Sequence, residues 1–291
     1  MKLVDFHMHT THSDGSYTPA DLLRYCKEKK LSCVSVTDHD TMSSFDESES
    51  EAKKLGIELV PGIEISATFE PGTLHILGFF QDRNHPVFKQ KVEEIQTARR
   101  ERNPKIIQKL NAMGIDITIA EVEEEAFKGA GDIDDKQIGR PHFAKILLRK
   151  GYAKDMQDVF DKFLGKGKPA YIDKRRITAQ ESIELINNAG GIASIAHPKQ
   201  MRISEEQFEI EFKKYKDYGL GAIEVYNSCQ DRRENEFFMR IAKKFDLIPT
   251  GGSDFHGANK PDVDLGYMGD DVKLGYEMVD ALREKIIKRG K

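Results

Sequence analysis

The sequence predicts an α/β fold built on parallel strands and carrying a helical insertion, and three features point there. Strand-like and helix-like segments alternate over the first 80 residues and again from residue 178 onward, the pattern of parallel-sheet architecture. Between residues 86 and 163 the helical signals continue without a convincing strand. The length of 291 residues suits one α/β barrel of about 250 residues enlarged by an insertion.

Leu3–Met8 reads as the first strand. Thr18 as N-cap and Pro19 at the first helical position open a helix that runs to Lys30. Ser32–Thr37 is the second strand, and Ser44–Leu55 a helix closed by Gly56. A third strand at Glu58–Phe69 turns through Pro71-Gly72 into a hairpin partner at Thr73–Phe80. The insertion offers helices at about 87–112, 119–128, 139–150 and 155–164. The alternation then resumes with a helix at Thr178–Ala189, a strand at Gly191–Ala196, a helix at 204–217 and a strand at Ala222–Tyr226. A helix at 231–244, a strand at Leu247–Thr250 and a closing helix at about 275–289 complete the chain. The barrel is therefore expected over residues 1–83 and 177–291, with the small helical domain inserted at 84–176.

Hydrophobic residues make up 38% and charged residues 32%, with no apolar run longer than five, which excludes a membrane helix of about 20 residues and wholesale disorder. Asp5 and His7 fall where a signal peptide needs an apolar stretch, so a cytoplasmic protein is expected. Cys26, Cys33 and Cys229 have no CxxC spacing and read as small hydrophobes. The net charge of −4 conceals an asymmetry: residues 84–176 hold 20 Lys/Arg against 15 Asp/Glu, while the remainder holds 25 against 34. A basic segment within an acidic chain fits an anionic ligand. No tryptophan and no RRM, KH or zinc-finger signature occurs, which argues against long nucleic acid as a partner.

Chemically loaded residues recur where the predicted strands end, the location of α/β-barrel active sites. His7 and His9 share a strand face because side chains alternate with period two. Asp14 follows in the next loop; Thr37-Asp38-His39-Asp40, Gly62-Ile63-Glu64, His75, Ala196-His197-Pro198 and Ser253-Asp254-Phe255-His256 sit at or near further strand ends. Any one of these is ordinarily a satisfied loop residue. Together, six of the nine histidines and three carboxylates form an imidazole–carboxylate set suited to Zn, Mn or Fe(II). Nine ligands exceed the three or four that one catalytic ion takes, so two or three ions are implied, with a carboxylate such as Glu64 bridging.

These motifs, with Asp5-Phe6-His7-Met8-His9-Thr10, Pro61-Gly62-Ile63-Glu64-Ile65 and His75-Ile76-Leu77-Gly78 in order, resemble those of the polymerase and histidinol phosphatase (PHP) family. The resemblance implies a distorted (β/α)7 barrel with a trinuclear metal centre. It implies that His7, His9, Glu64 and Asp254 surround one metal, that Glu64 bridges to a second held with His75 and His197, and that Asp14, His39 and His256 hold a third. No ligand position is substituted, which speaks against a non-catalytic metal-binding module.

Three divalent ions set against three carboxylates leave about +3, a charge that a dianionic phosphomonoester would balance. Paired metals also generate a hydroxide for in-line attack on phosphorus. In the insertion, Gly139-Arg140-Pro141-His142-Phe143-Ala144 opens a helix and sets Arg140 by its N-terminus, while Arg99 and Arg102 share a helix face. Arginine forks match phosphate. The GRPHFA segment looks like the PHP branch acting on nucleoside 3′,5′-bisphosphates and on 5′ ends of short RNA. In that branch Arg140, with Arg99 or Arg102, would meet the second phosphate, and Asn227 would contact the nucleoside or a phosphate. His142 and Lys199 are candidates for proton donation to the leaving oxygen, and His12 and His85 read as loop residues. Histidinol phosphate phosphatase is the alternative activity, and a carbon–nitrogen hydrolase a third.

Overall fold

The computed structural model describes residues 2–127, 138–173, 176–269 and 272–289. Residue 128 of the helix expected at 119–128, the remainder of 129–137, and residues 174–175, 270–271, 290–291 and 1 of the expected domains lie outside these.

Among the described residues nine short strands form two sheets: β1 (Leu3–Asp5), β2 (Leu31–Val34), β3 (Glu58–Leu59), β4 (Gly62–Ala67), β5 (Leu74–Phe79), β6 (Ile192–Ile195), β7 (Ala222–Asn227), β8 (Ile248–Gly252) and β9 (Leu274–Gly275). One sheet has the order β3-β2-β1-β9 and the other β4-β5-β6-β7-β8. Pairing is parallel within β1–β3 and within β6–β8, but β5 runs antiparallel to both of its neighbours and β9 antiparallel to β1. The sheet is therefore mixed rather than wholly parallel. The strand expected over Glu58–Phe69 is broken at Val60-Pro61, because a proline without an N–H cannot continue a central ladder. β3 stays with the first sheet and β4 starts the second. β9, two residues long, carried no readable sequence pattern.

Backbone hydrogen bonds join the sheets along two seams. At one, Val60 N donates to Val34 O (2.9 Å), Glu64 N to Asp38 O (3.2 Å) and Asp40 N to Glu64 O (2.9 Å). At the other, Phe6 N donates to Gly251 O (3.3 Å), Asp254 N to His7 O (2.8 Å) and His9 N to Phe255 O (2.9 Å). Each seam needs a glycine. A Cβ on Gly62 would run into Ser35 Oγ and the Val36 carbonyl, and one on Gly252 into the backbone N and Cβ of His7.

The helices follow their sequence signals closely. α1 (Pro19–Glu28) is capped by the Thr18 hydroxyl, and α2 (Phe45–Leu55) ends at Gly56 with φ of 66°. Ser44 precedes α2 without capping it and donates instead to Asp38 Oδ2 (2.6 Å). After four helices described below, α7 (Ala179–Asn188), α8 (Glu205–Asp217) and α9 (Arg232–Lys244) each start from a capping box, and α10 (Glu277–Arg289) closes the chain.

Between residues 84 and 173 the described residues contribute only helices and turns: α3 (Pro86–Ala112), α4 (Ile119–Phe127), α5 (Arg140–Arg149), α6 (Met156–Val159) and a π-helical turn at Phe160–Leu164. α3 spans two cores. Its Phe88, Val92 and Ile95 pack with Ile63, Ile65 and Ile195 of the sheets, whereas Ile106 and Leu110 join Ile117, Phe143, Leu147 and Leu164 in a separate cluster. Midway between them, Arg99, Arg102 and Asn103 are buried. Cys26 and Cys33 are buried as expected, and Cys229 is half-buried. No helix among the described residues is long and apolar enough to cross a membrane.

Substituting Gly252→Ala should force β8 away from β1 and cost about 3 kcal/mol, a fall in Tm of about 5–10 °C measurable by scanning calorimetry.

Candidate functional site

The ends of β1, β4, β5, β6 and β8, with the segments that follow β1, β2 and β8, converge so that the nine expected ligand residues meet. Glu64 is fully buried at the centre. Its Oε1 lies 2.8 Å from His75 Nδ1, 2.9 Å from His197 Nε2 and 3.4 Å from His7 Nε2. Its Oε2 lies 2.8 Å from His39 Nδ1 and 3.3 Å from His9 Nε2. Asp254 Oδ1 faces His7 and His9 Nε2 at 3.4 and 3.3 Å, and Asp14 Oδ1 faces His256 Nε2 at 3.2 Å. Potential ligand atoms fall within 4.8 Å of one another in four overlapping sets: His9, Asp14, His39 and His256; His7, His197 and Asp254; His7, His9 and Glu64; His39, Glu64 and His75.

Some of these atoms satisfy one another, as His75 Nδ1 and His197 Nε2 do on Glu64 Oε1, but others do not. Nε2 of His7 and His9, Nδ1 of His39 and His197, Oε2 of Glu64 and Oδ1 of Asp14 are buried without a well-directed hydrogen bond among the described residues. Buried polar atoms are normally paired, and divalent cations would satisfy this set. Left-handed backbone at Asp40, His197 and Asp254 (φ of 57°, 25° and 56°) aims these loops inward.

Charge in the metal-free cluster is self-compensating. Burial favours the protonated form of Glu64, yet His39, His75 and His7 hold it well below the usual carboxylate range. Asp14 and Asp254 are depressed likewise against burial, by His39 and His256 and by His7 and Lys260 respectively. Burial opposes charge on His39, but Glu64 and Asp14 raise it to about 9, while burial takes His9 and His75 down to about 4.

A cavity of about 180 Å³ adjoins the cluster, with Asp14, His39 and His75 on one wall and Arg99, Arg102, Arg140 and Arg176 on another. Arg99 and Arg102 are only 7% and 5% exposed, so they are not the solvated helix face that their charge alone could suggest. Arg99 is ion-paired with Asp40. Arg102 donates to Asn103 Oδ1 (2.8 Å) and Ile138 O (3.3 Å). Arg140 donates to Leu164 O (3.0 Å) and lies over the rings of Phe160 and Tyr171, at 5.8 and 5.4 Å. Arg176 Nε is buried with no hydrogen-bond partner among the described residues. Burial first, and then Arg99 and Arg140 beside it, pull Arg102 down to about 9, with Asp40 opposing them. An anion would oppose that shift.

A model of the PHP domain matches residues 5–228. The chain belongs to the PHP domain family. A 5′-3′ exoribonuclease of Haemophilus influenzae is 32% identical over 88% of this chain and 90% of that protein. A 3′,5′-nucleoside bisphosphate phosphatase of Chromobacterium violaceum is 30% identical, with 93% of each chain covered. The crystal structure of a Bifidobacterium adolescentis protein, whose assignment as a metal-dependent phosphoesterase is itself inferred, superposes with a TM-score of 0.84 at 28% identity, covering 97% of this chain and 96% of that one.

Around this PHP site several side chains take roles that their sequence positions did not reveal. Glu224 Oε1 holds His7 Nδ1 (2.9 Å) and Oε2 accepts from His197 N (2.5 Å), the carboxylate–histidine support typical behind metal ligands. Asn227, expected to contact a nucleoside or a phosphate, is fully buried and donates to that same Glu224 (3.1 Å). His142, expected near substrate, caps α5: its Nδ1 accepts the Gly139 N–H (3.0 Å), and burial lowers it to about 4. Lys199 is exposed and paired with Glu234 (2.9 Å). His12 is buried rather than loose, with Nδ1 2.7 Å from Ser43 Oγ. Asp38 accepts from Thr10 N and Oγ1 (2.8 and 2.7 Å), Ser13 Oγ and Ser44 Oγ (both 2.6 Å), fixing the loop that carries Asp14. Arg176 was legible only as part of the basic Lys174-Arg175-Arg176 run.

Because His39 is raised to about 9 from an ordinary value near 6.5, its pairing stabilises the metal-free fold fully below about pH 6.5 and is lost as pH rises through about 9. Calorimetry of metal-free protein should show Tm falling from about pH 7 to about pH 9.5, and saturating divalent metal, which binds neutral imidazole, should flatten that fall.

Proposed function

We propose that the protein is a metal-dependent phosphoesterase that hydrolyses phosphomonoesters of nucleotides, with nucleoside 3′,5′-bisphosphates and short 5′-phosphorylated oligoribonucleotides as substrates. The observation that carries this reading is one cavity with a buried imidazole–carboxylate cluster on one wall and four arginines on another. A substrate with two anionic groups fits both walls; a singly phosphorylated amino alcohol such as histidinol phosphate leaves the arginines unmatched.

In this reading the two sheets form a distorted (β/α)7 barrel over residues 1–83 and 177–291, and residues 84–176 form a helical cap. The separate apolar cluster around Phe143 and Leu147 supports the division. His7, His9, Asp14, His39, Glu64, His75, His197, Asp254 and His256 hold three divalent ions drawn from Mn, Fe and Zn. Divalent ions held there would supply Lewis-acid stabilisation of phosphoryl charge and acidify water at neutral pH.

The chain's own side chains do the rest. Glu224 keeps the His7 proton on Nδ1 and so leaves Nε2 as a lone pair facing inward. Arg99 and Arg102, clamped by Asp40 and Asn103, present guanidinium edges without paying for reordering when the second phosphate arrives. Arg140, stacked on Phe160, and Arg176 close the anion-binding wall. A cytoplasmic enzyme working on small nucleotides and short RNA, not on long nucleic acid or at a membrane, is the consistent setting.

Phosphate release by metal-reconstituted protein tests this, comparing adenosine 3′,5′-bisphosphate, a 5′-phosphorylated dinucleotide and histidinol phosphate at equal concentration. The first two should be preferred, and Arg176→Ala should lower kcat/KM for the bisphosphate by about 10- to 100-fold while affecting histidinol phosphate less. Histidinol phosphate turning over fastest would overturn the nucleotide assignment.

A further inference from the structure

Among the described residues, Lys260 is the one lysine or arginine ion-paired with Asp14, Glu64 or Asp254. Its Nζ lies 2.6 Å from Asp254 Oδ2, while Oδ1 of the same carboxylate faces His7 and His9. The lysine's placement is built, not incidental. The turn Gly257–Asn259 that delivers it is tied to the loop of Asp14: Ala258 N donates to Ser16 Oγ (2.8 Å) and Asn259 Nδ2 to Asp14 O (2.7 Å). Gly257 has φ of 62°, and a Cβ there would strike Ser16 Oγ and the Tyr17 ring. Lys260 N then closes the turn on Gly257 O (3.0 Å), and the side chain turns back along the chain to Asp254. The strand end carrying Asp254 and the loop carrying Asp14 are thus braced by one short segment that ends in an ammonium.

We propose that Lys260 is a positioning residue that occupies Asp254 Oδ2, restricts Asp254 to offering the single oxygen Oδ1 to a metal beside His7 and His9, and by its charge weakens that ion's binding. A carboxylate with both oxygens free can chelate an ion through both; one with an oxygen committed to an ammonium cannot. A fixed positive charge a few ångströms from a divalent ion also repels it, which at such separations is worth about tenfold in affinity even in a water-like dielectric. The ammonium adds to the compensation that His7 already gives Asp254 when no ion is bound.

The role rests on His7, His9 and Asp254 holding a metal, and a titration separates the two claims. Binding of Mn²⁺ to metal-stripped wild-type, Lys260→Met and Lys260→Arg protein is measured calorimetrically with no substrate present. In Lys260→Met one binding step, that of the ion beside His7, His9 and Asp254, should tighten about tenfold, while the metal-free form melts lower. Lys260→Arg, which keeps charge and hydrogen bond, should retain the wild-type affinity. If Lys260→Met binds no more tightly than wild type, or Lys260→Arg tightens equally, the role of Lys260 is overturned and the metal site stands. A wild-type protein that takes up no Mn²⁺ overturns both.

Discussion

The carboxylate of Glu64, buried among the rings of His7, His9, His39, His75 and His197, is the point on which the molecule turns. Removing a carboxylate from water costs several kcal/mol unless opposite charge surrounds it, and here the compensation comes from side chains on four separate segments. The backbone of the same residue forms one of the two seams between the sheets, pairing with Asp38 and Asp40. Assembly of the site and joining of the sheets are thus one event. The residues that enforce the joining, Gly62 and Gly252, have been stripped of side chains where the backbones meet.

Opposed to this negative centre stand the arginines of the helical segment. Their arrangement follows from α3, which runs from the core of the sheets into a second core and sets Arg99 and Arg102 at the crossing. A helix anchored at both ends holds its middle turns rigidly, so the guanidiniums stand ready rather than searching. The desolvated guanidinium of Arg102, and the buried Nε of Arg176 that has no hydrogen-bond partner among the described residues, are groups that an anion would serve. Such groups destabilise the unliganded fold, and their retention makes sense where a ligand supplies the missing charge.

Much of this was legible in the sequence because the informative patterns are local. Strand and helix positions, the Thr18, Thr178, Ser204 and Asp231 caps and the clustering of histidines at strand ends depend on neighbours within a few residues. What escaped depends on distant partners. Glu224 lies inside an apolar strand and reads as an ordinary outward-facing acid until β7 is set behind His7, 217 residues away. Asn227 looked available for a nucleoside because nothing local announces that Glu224 claims it. Lys260 and Arg176 were single charges in charged stretches. The break at Pro61 had a readable cause, since proline does not sit within a central strand, and the apolar run around it concealed the boundary.

Asp5 illustrates how far apart in sequence the parts are. Its buried carboxylate accepts from His7 N, Ser253 N and Gly266 N, fastening β1 to the end of β8 and the loop beyond it. During synthesis at about 5–20 residues per second, His7 and His9 therefore leave the ribosome roughly 12–50 seconds before Asp254 and Gly266 exist to complete their surroundings. Throughout that interval the nascent chain displays imidazoles with no enclosed coordination sphere. A metal that needed all of these residues would accordingly be taken up by the finished fold, after release, from whichever ions the cell then holds at sufficient concentration.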